Sequence, residues 1–320
     1  MRAMILAAGL GTRLSPLSLV RPKVLAPVLG ITVLEFWIER LRSAGCEAVM
    51  VNAHNLHQKL CREIQGKRWP IPVEVSVEPV LLGTGGGIAK VLDYFGNQSF
   101  SVVNGDIICQ APLETLLEQH RDSGAPASLL LHDHPDFNNV AVNSSGSILG
   151  FGRAALEMAR NNRDLELRAF TGIHFIDPVV FRDFPAHEPW EILTAYERLI
   201  AEGERLAALF VRDLFWEEMG SVEAYRNLTR KLSYMPEGAL PPLPTGKRCL
   251  IHPTAEVDDG ALLEGVNIVG RRSRVAHDVY LKDCILWDEV RVKPGSRLRN
   301  CILTDGAEVK GEHKDAVLMA

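Results

Sequence analysis

The last quarter of the chain places an apolar residue at every sixth position. Ile251, Val257, Leu263, Val269, Val275, Leu281 and Trp287 are in step, and after a slip of one residue the pattern continues through Leu286, Val292 and Leu298. A helix has a period of 3.6 and a two-sided strand a period of two, so neither generates this spacing. A period of six suits a parallel β-helix, in which each hexad forms one short side of a coil and turns its apolar residue inward. With three hexads to a turn, residues 248–320 hold about three to four coils. A stretch crowded with Pro236, Gly238, Pro241, Pro242, Pro244 and Gly246 comes before it and reads as a linker over 233–247. Residues 1–232 remain as a larger first domain.

That first domain alternates strand-like and helix-like segments. Strands are expected at 3–7, 48–51, 73–77, 100–103 and 127–131, with helices near 56–64, 88–95 and 113–120. Thr32 and Glu35 have the spacing of a capping box, so a helix starts there. Leu34, Trp37, Ile38 and Leu41 share one face of that helix, and Gly45 ends it. This order predicts an α/β, Rossmann-like, mostly parallel sheet with helices on both faces. Ligands of such sheets bind beyond the carboxyl ends of the strands, so the loops that follow strands are the informative ones.

Composition narrows the function. The net charge of −5 argues against a general nucleic-acid binder, yet residues 1–34 contain Arg2, Arg13, Arg21 and Lys23 and no acidic residue. A basic stretch in an acidic chain suits a small anionic ligand. Six cysteines without paired spacing point to reduced thiols and a cytoplasmic protein. No apolar run approaches the length of a membrane span.

The first loop reads Leu6-Ala7-Ala8-Gly9-Leu10-Gly11-Thr12-Arg13-Leu14, followed by Pro16-Leu17 and Pro22-Lys23. Glycines directly after a strand let backbone N–H groups approach phosphate oxygens, and Arg13 and Lys23 supply positive charge. The stretch closely resembles the GxGTRLxPLTxxxPK pattern of the sugar-1-phosphate nucleotidyltransferases, with Ser18 where Thr is usual. The resemblance extends along the chain and implies the nucleotide-diphospho-sugar transferase type of fold. The repeats resemble the left-handed β-helix family.

From that resemblance follow roles for particular residues. Leu6, Ala8, Gly9, Gly11, Thr12 and Arg13 would bind the nucleotide. Glu78-Pro79-Val80-Leu81-Leu82-Gly83-Thr84-Gly85-Gly86-Gly87 resembles the base-reading segment, with Glu78, Gly83 and Thr84 at the base edge. Asp106, after Asn104 and Gly105, would be a ligand of the catalytic Mg²⁺. The second carboxylate would come from Trp216-Glu217-Glu218-Met219-Gly220, where Glu218 stands in place of the usual Asp. Asn104, Thr171 and Gly172 would bind the sugar phosphate. A Glu-Lys-Pro triplet common in relatives is replaced by Gly152-Arg153-Ala154, leaving Arg153 either as a phosphate ligand or as a solvated arginine.

The implied reaction joins a nucleoside triphosphate to a sugar 1-phosphate and releases pyrophosphate, with Arg13, Lys23 and Asp106 as its catalytic residues. As an acceptor, Glu78 favours the two donors of guanine. The sugar side resembles the N-acetylmuramate-1-phosphate uridylyltransferase branch and favours UTP. Two other classes are a silent regulatory subunit of the same fold, which would be expected to lose Arg13, Lys23 or Asp106, and a hexapeptide-type acyltransferase, which needs a longer β-helix. Residues 248–320 are expected to serve stability or homo-oligomer assembly. No nucleic-acid or membrane partner is expected.

Overall fold

A computed structural model describes all residues Met1–Ala320. The chain divides into two compact units, Met1–Leu10 with Trp37–Glu217 and Gly11–Phe36 with Glu218–Ala320.

The first unit is built on a nine-stranded sheet. Its strands are β1 (Arg2–Leu6), β2 (Ala48–Ala53), β3 (Val73–Val77), β4 (Phe100–Asn104), β5 (Ala127–His132), β6 (Val140–Val142), β7 (Ile148–Phe151), β8 (Glu166–Ile176) and β9 (Leu206–Phe210). β4, β1, β2 and β3 lie side by side and parallel. Ala3, Met4 and Ile5 of β1 are all buried, as the continuous apolar run of a strand covered on both faces requires. One cluster of the core joins Met4, Phe100, Val102, Leu129, Ile176 and Tyr196.

Two local features depart from the sequence reading. β8 runs antiparallel to β4, β5 and β6; antiparallel strands need no long crossover, so β–α alternation does not reveal them. The single helix expected at 88–95 is two, Gly83–Ala89 and Leu92–Phe95. Val91, at φ −115° and ψ 19°, interrupts them.

His174 lies in the middle of β8, fully enclosed, with Tyr196 hydroxyl on its Nδ1. Burial pushes its imidazolium down to about 3, so it is neutral in the folded chain, whereas an unfolded histidine titrates near 6.5. As pH falls below 6.5 the unfolded chain takes up a proton that the folded one refuses. Stability therefore drops as pH falls from about 6.5 toward the folded value, by roughly 2 kcal/mol over the first one and a half units. Melting scans at pH 7 and pH 5 on the parent and on His174→Gln should show a smaller pH dependence in the variant. An equal dependence in both would rule out His174 as a source.

In the second unit, three parallel sheets of very short strands form a left-handed β-helix. The first stacks Cys249–Ile251, Asn267–Val269, Ile285–Leu286, Ile302–Leu303 and Val317–Leu318. The other two have four strands each. Leu250 pairs with Ile268, Ile268 with Ile285 and Ile285 with Ile302, so the first coil is one residue longer than the next two. The slip falls between Tyr280–Lys282 and Ile285–Leu286, where the repeat changes phase. Val269, Val275, Leu281, Leu286, Val292 and Leu298 fill the interior. Leu286 takes the inward place, so its neighbour Trp287 faces outward. Trp287 is nevertheless fully buried, and its Nε1 donates to the Tyr225 hydroxyl at 3.0 Å.

The compact units differ from the expected bounds at 232 and 248, because Gly11–Phe36 groups with the β-helix. The links are long-range and leave no local mark in composition. Arg21 pairs with Asp288 at 2.7 Å and Asp305 at 2.6 Å, and the Tyr225 hydroxyl donates to Pro27 O at 2.5 Å. Burial opposes the Arg21 charge, but the hydrogen bonds and charges of Asp305 and Asp288 outweigh it and keep the guanidinium protonated. Nor is 233–247 a loose tether. Leu240, Leu243 and Thr245 are buried, and Thr245 Oγ1 donates to Pro236 O at 2.8 Å. The Thr32–Glu35 capping box forms as expected: Thr32 N donates to Glu35 Oε2 at 2.7 Å, and Glu35 N to Thr32 Oγ1 at 3.2 Å.

Candidate active site

β1 has β2 and β3 on one side and β4 on the other. The chain thus changes direction across the sheet between β1 and β4, and the crevice beyond such strand ends is where ligands bind. The ends of these four strands carry the loop after Leu6, Asn52, Glu78 and Asn104. Gly105 N donates to Leu6 O at 2.9 Å and ties β4 to β1 at this edge. A Cβ added at Gly9 would meet nothing within 4 Å. The protein's own packing therefore does not demand glycine there, whereas close approach of a ligand to the backbone would.

A buried polar bridge joins the two glycine-rich loops. Ala7 N donates to Asn52 Oδ1 at 2.6 Å, and Asn52 Nδ2 donates to Glu78 Oε1 at 2.8 Å. Glu78 Oε2 accepts from Leu82 N at 3.0 Å. His54 Nδ1 lies 2.7 Å from Glu78 O, so this histidine braces the same strand end. Glu78 is only 1% exposed, and both its carboxylate oxygens are engaged. The carboxylate thereby fixes the position of the loop that follows it.

The glycine run after Glu78 is itself a helix, Gly83–Ala89. Glycine costs about 1 kcal/mol per residue in a helix interior, so packing must compensate. A Cβ at Gly85 would lie 2.1 Å from the Trp190 ring, one at Gly86 2.3 Å from Glu188 O, and one at Gly87 2.7 Å from Glu78 Oε1. The glycines thus let this helix press against the Trp190 segment and the Glu78 carboxylate. Gly83 has φ +70°, and its Cβ would lie 2.6 Å from Trp190 O. Thr84 Oγ1 donates to Glu191 Oε2 at 2.6 Å and accepts from Ile192 N at 2.9 Å. Its hydroxyl thereby holds the start of the Ile192–Ala201 helix.

On the other side of the crevice, Thr171 and Gly172 make a bulge in β8. Thr171 Oγ1 donates to Leu130 O at 2.8 Å, and Trp216 Nε1 donates to Thr171 O at 2.8 Å. Gly172 has φ +83°, and a Cβ there would meet Asn104 Nδ2 at 2.5 Å. The Asn104 amide therefore packs directly against Gly172. Gly172→Ala should displace the Asn104 amide, and the left-handed backbone itself costs about 1–2 kcal/mol. Thermal melts of the variant and the parent check this; an unchanged melting temperature would show that the turn accepts a side chain.

Asp106 sits between β4 and the strand Ile107–Cys109. That strand pairs with Trp216–Glu218, and Gln110 N donates to Phe215 O at 3.0 Å. Arg153 occupies the first turn of the Gly152–Asn161 helix. Its side chain is 93% exposed and pairs with Glu157 at 2.9 Å, one turn on.

The remaining expected residues belong to the second unit. Gly11, at φ +68°, turns the chain into the short helix Thr12–Leu14. Arg13 Nη2 pairs with Glu218 Oε1 at 2.8 Å. A Cβ at Gly220 would lie 2.7 Å from Glu218 Oε1 and 3.4 Å from Arg13 Nη1, so glycine there makes room for the pair. Lys23 lies along the Gly11 turn, with its Cγ 3.3 Å from where a Gly11 Cβ would be.

His132 and His134 pack around Trp216 at ring distances of 4.8 and 5.6 Å. Burial pushes His132 down to about 4, which keeps it neutral. No group of three or more His, Cys, Asp or Glu side chains has metal-binding geometry. Sequence reasoning missed Asn52, Trp190 and Arg21. Asn52 was findable, being the polar residue near the end of the otherwise apolar strand AVMVNA.

Residues 2–234 match the family described as Nucleotidyl transferase, and the chain belongs to that family: it is a nucleotidyltransferase. Enzymes of this family generally use a divalent metal. The chain is 30% identical to the mannose-1-phosphate guanylyltransferase of Mycobacterium tuberculosis over 92% of its own length and 81% of that protein. It is 26% identical to the UTP–glucose-1-phosphate uridylyltransferase of Synechocystis, over 97% of its length and 90% of that protein. In fold it is similar to the crystal structure of HddC from Yersinia pseudotuberculosis, with a TM-score of 0.59 at 19% identity, over 72% of this chain and 98% of that one. No helix is long and apolar enough to cross a membrane.

Proposed function

We propose that the chain transfers a guanylyl group from GTP to a sugar 1-phosphate, with mannose 1-phosphate as the first candidate acceptor. The observation that carries this reading is the set of adjoining parallel strand ends bearing the Gly9–Gly11 loop, Asn52, Glu78 and Asn104, in a chain whose similarity to a mannose-1-phosphate guanylyltransferase spans most of both proteins. Uridylyl transfer is the second reading, favoured by the similarity to a uridylyltransferase over nearly the whole chain.

An oxygen of the sugar phosphate attacks the α-phosphorus in line. The bond from that phosphorus to the bridging oxygen breaks, and pyrophosphate leaves with the electron pair. The nucleophile is already an anion near neutral pH, so positioning and charge stabilisation provide the catalysis. Arg13 and Lys23 bind the triphosphate and the departing pyrophosphate. Asn104 and Gly172 hold the sugar side, and Arg153 is free to swing from Glu157 toward a phosphate on its exposed helix turn.

Asp106 and Glu218 fit as ligands for Mg²⁺, since carboxylate oxygens are the donors this hard cation selects. Glu218 is the last residue of the strand Trp216–Glu218. When bound, Mg²⁺ neutralises charge on the phosphate oxygens. A pyrophosphate-release assay with each of the four common NTPs against a panel of sugar 1-phosphates tests the reading. GTP with mannose 1-phosphate should give the highest kcat/KM; a clear preference for UTP would replace it with the second reading.

A further inference from the structure

Arg21 joins the segment Gly11–Phe36 to two carboxylates of the β-helix. Arg21 follows the short helix Leu17–Val20 and stands two residues before Lys23. Its guanidinium makes a fork with Asp305, Nε to Oδ2 at 2.8 Å and Nη2 to Oδ1 at 2.6 Å. Nη2 also donates to Asp288 Oδ2 at 2.7 Å, and the group lies over the Trp287 ring, 5.3 Å from its centre. Asp288 and Asp305 occupy equivalent places on successive coils, three residues after the paired Ile285 and Ile302. Each also accepts from the backbone of the coil before it: Arg271 N to Asp288 Oδ1 at 2.8 Å, and Asp288 N to Asp305 Oδ1 at 3.3 Å. The two carboxylates are therefore fixed by the β-helix before they meet Arg21.

We propose that Asp288 and Asp305 of the β-helix act, through Arg21, as positioning residues that set Lys23 and the Gly11 turn in register for the triphosphate. The inference rests on the role given above to Lys23. Two features connect the clamp to that site. Arg21 Nη1 reaches Leu25 O at 3.4 Å, so the guanidinium spans the short helix Lys23–Leu25. The Lys23 stem in turn packs where a Gly11 side chain would stand, its Cε 3.5 Å from that position. Two further ties bracket the segment: Tyr225 hydroxyl to Pro27 O, and Arg271 to Glu35 at 3.8 Å. Apolar packing alone could attach the segment. A bidentate fork on two pre-set carboxylates also fixes its orientation.

The full-length chain is the material for the test. Arg21→Met keeps the stem and removes the fork; Asp288→Asn with Asp305→Asn removes its partners' charge. Both should lower kcat/KM for the NTP at least tenfold while leaving the KM for the sugar phosphate within about twofold. Hydrogen exchange should quicken at amides 17–25 and stay slow in the β-helix strands. Arg21→Lys, which keeps charge without the fork, should recover part of the loss. The triple variant should be no worse than Arg21→Met, because all three residues act through one contact. Faster exchange with normal NTP kinetics would overturn positioning and leave only attachment, and unchanged exchange would overturn the clamp itself. Lys23→Met is measured alongside: full turnover there would sink the role of Lys23, an outcome distinct from failure of the clamp. If Arg21→Met does not fold, Arg21→Lys and the single Asp288→Asn carry the same comparison.

Discussion

Asp106→Asn should lower kcat by about a hundredfold or more at saturating substrates, the range seen when one preorganised electrostatic group is removed from a reaction of this kind. The residue stands immediately beyond β4, the strand beside β1, and is followed at once by the strand Ile107–Cys109. Both flanking strands are anchored, with Ile107 O accepting from Trp37 Nε1 at 2.9 Å. Replacing the carboxylate by an amide keeps its shape and removes its charge. Glu218→Gln should behave similarly, with one addition. Glu218 pairs with Arg13 at 2.8 Å, so the variant also releases an arginine proposed to hold the triphosphate, and its NTP KM should rise. If both carboxylates serve one cation, the double variant should fall far short of the product of the single losses. Steady-state rates across a Mg²⁺ titration decide this. Near-normal turnover of Asp106→Asn at high Mg²⁺ would remove Asp106 from the chemistry.

The strands that carry these residues were legible because they are local. Ala3, Met4 and Ile5 form an apolar run with Gly9 a few residues on, and Gly105 follows directly on the strand ending at Asn104. The β-helix was legible for the same reason, since a period of six is written residue by residue, including the slip that hands the interior from Trp287 to Leu286. The roles of polar side chains depend on partners distant in sequence, and these were not legible. The motif after Glu78 does not show that Asn52 and Leu82 N hold its carboxylate. The need for glycine at 85 and 86 comes from Trp190 and Glu188, about a hundred residues later. Arg21 looked like part of a basic stretch, but its charge is matched by two aspartates in the last coils. The helix that carries Arg153 was not legible either, because its N-cap, Phe151, has no side chain able to signal a helix start.

A chain ending at Leu232 should lose at least about a hundredfold in kcat/KM, even where it stays soluble. The sequence alone pointed the other way, since every motif with a chemical role lies before residue 221 and the β-helix looked like an appendage for assembly. The structure puts Gly11–Phe36, with Arg13 and Lys23, in one compact unit with the β-helix. Truncation removes both carboxylates from Arg21 and deprives the buried Tyr225 hydroxyl of its Trp287 donor. Separating a buried charge from its partner costs about 3–5 kcal/mol when the charge cannot reach water. In the truncated chain Arg21 does reach water, so the segment is released rather than strained. A segment that spends about one part in a hundred in its competent arrangement lowers apparent affinity by the same factor. The nine-stranded sheet carries its own core cluster, so far-UV circular dichroism should still report a folded α/β unit. Pyrophosphate release from the truncated and full-length chains at equal concentration gives the comparison. A truncated chain that keeps a tenth or more of the parent kcat/KM would show that Lys23 and Arg13 hold their places without the β-helix, and would return residues 248–320 to a role in stability or assembly.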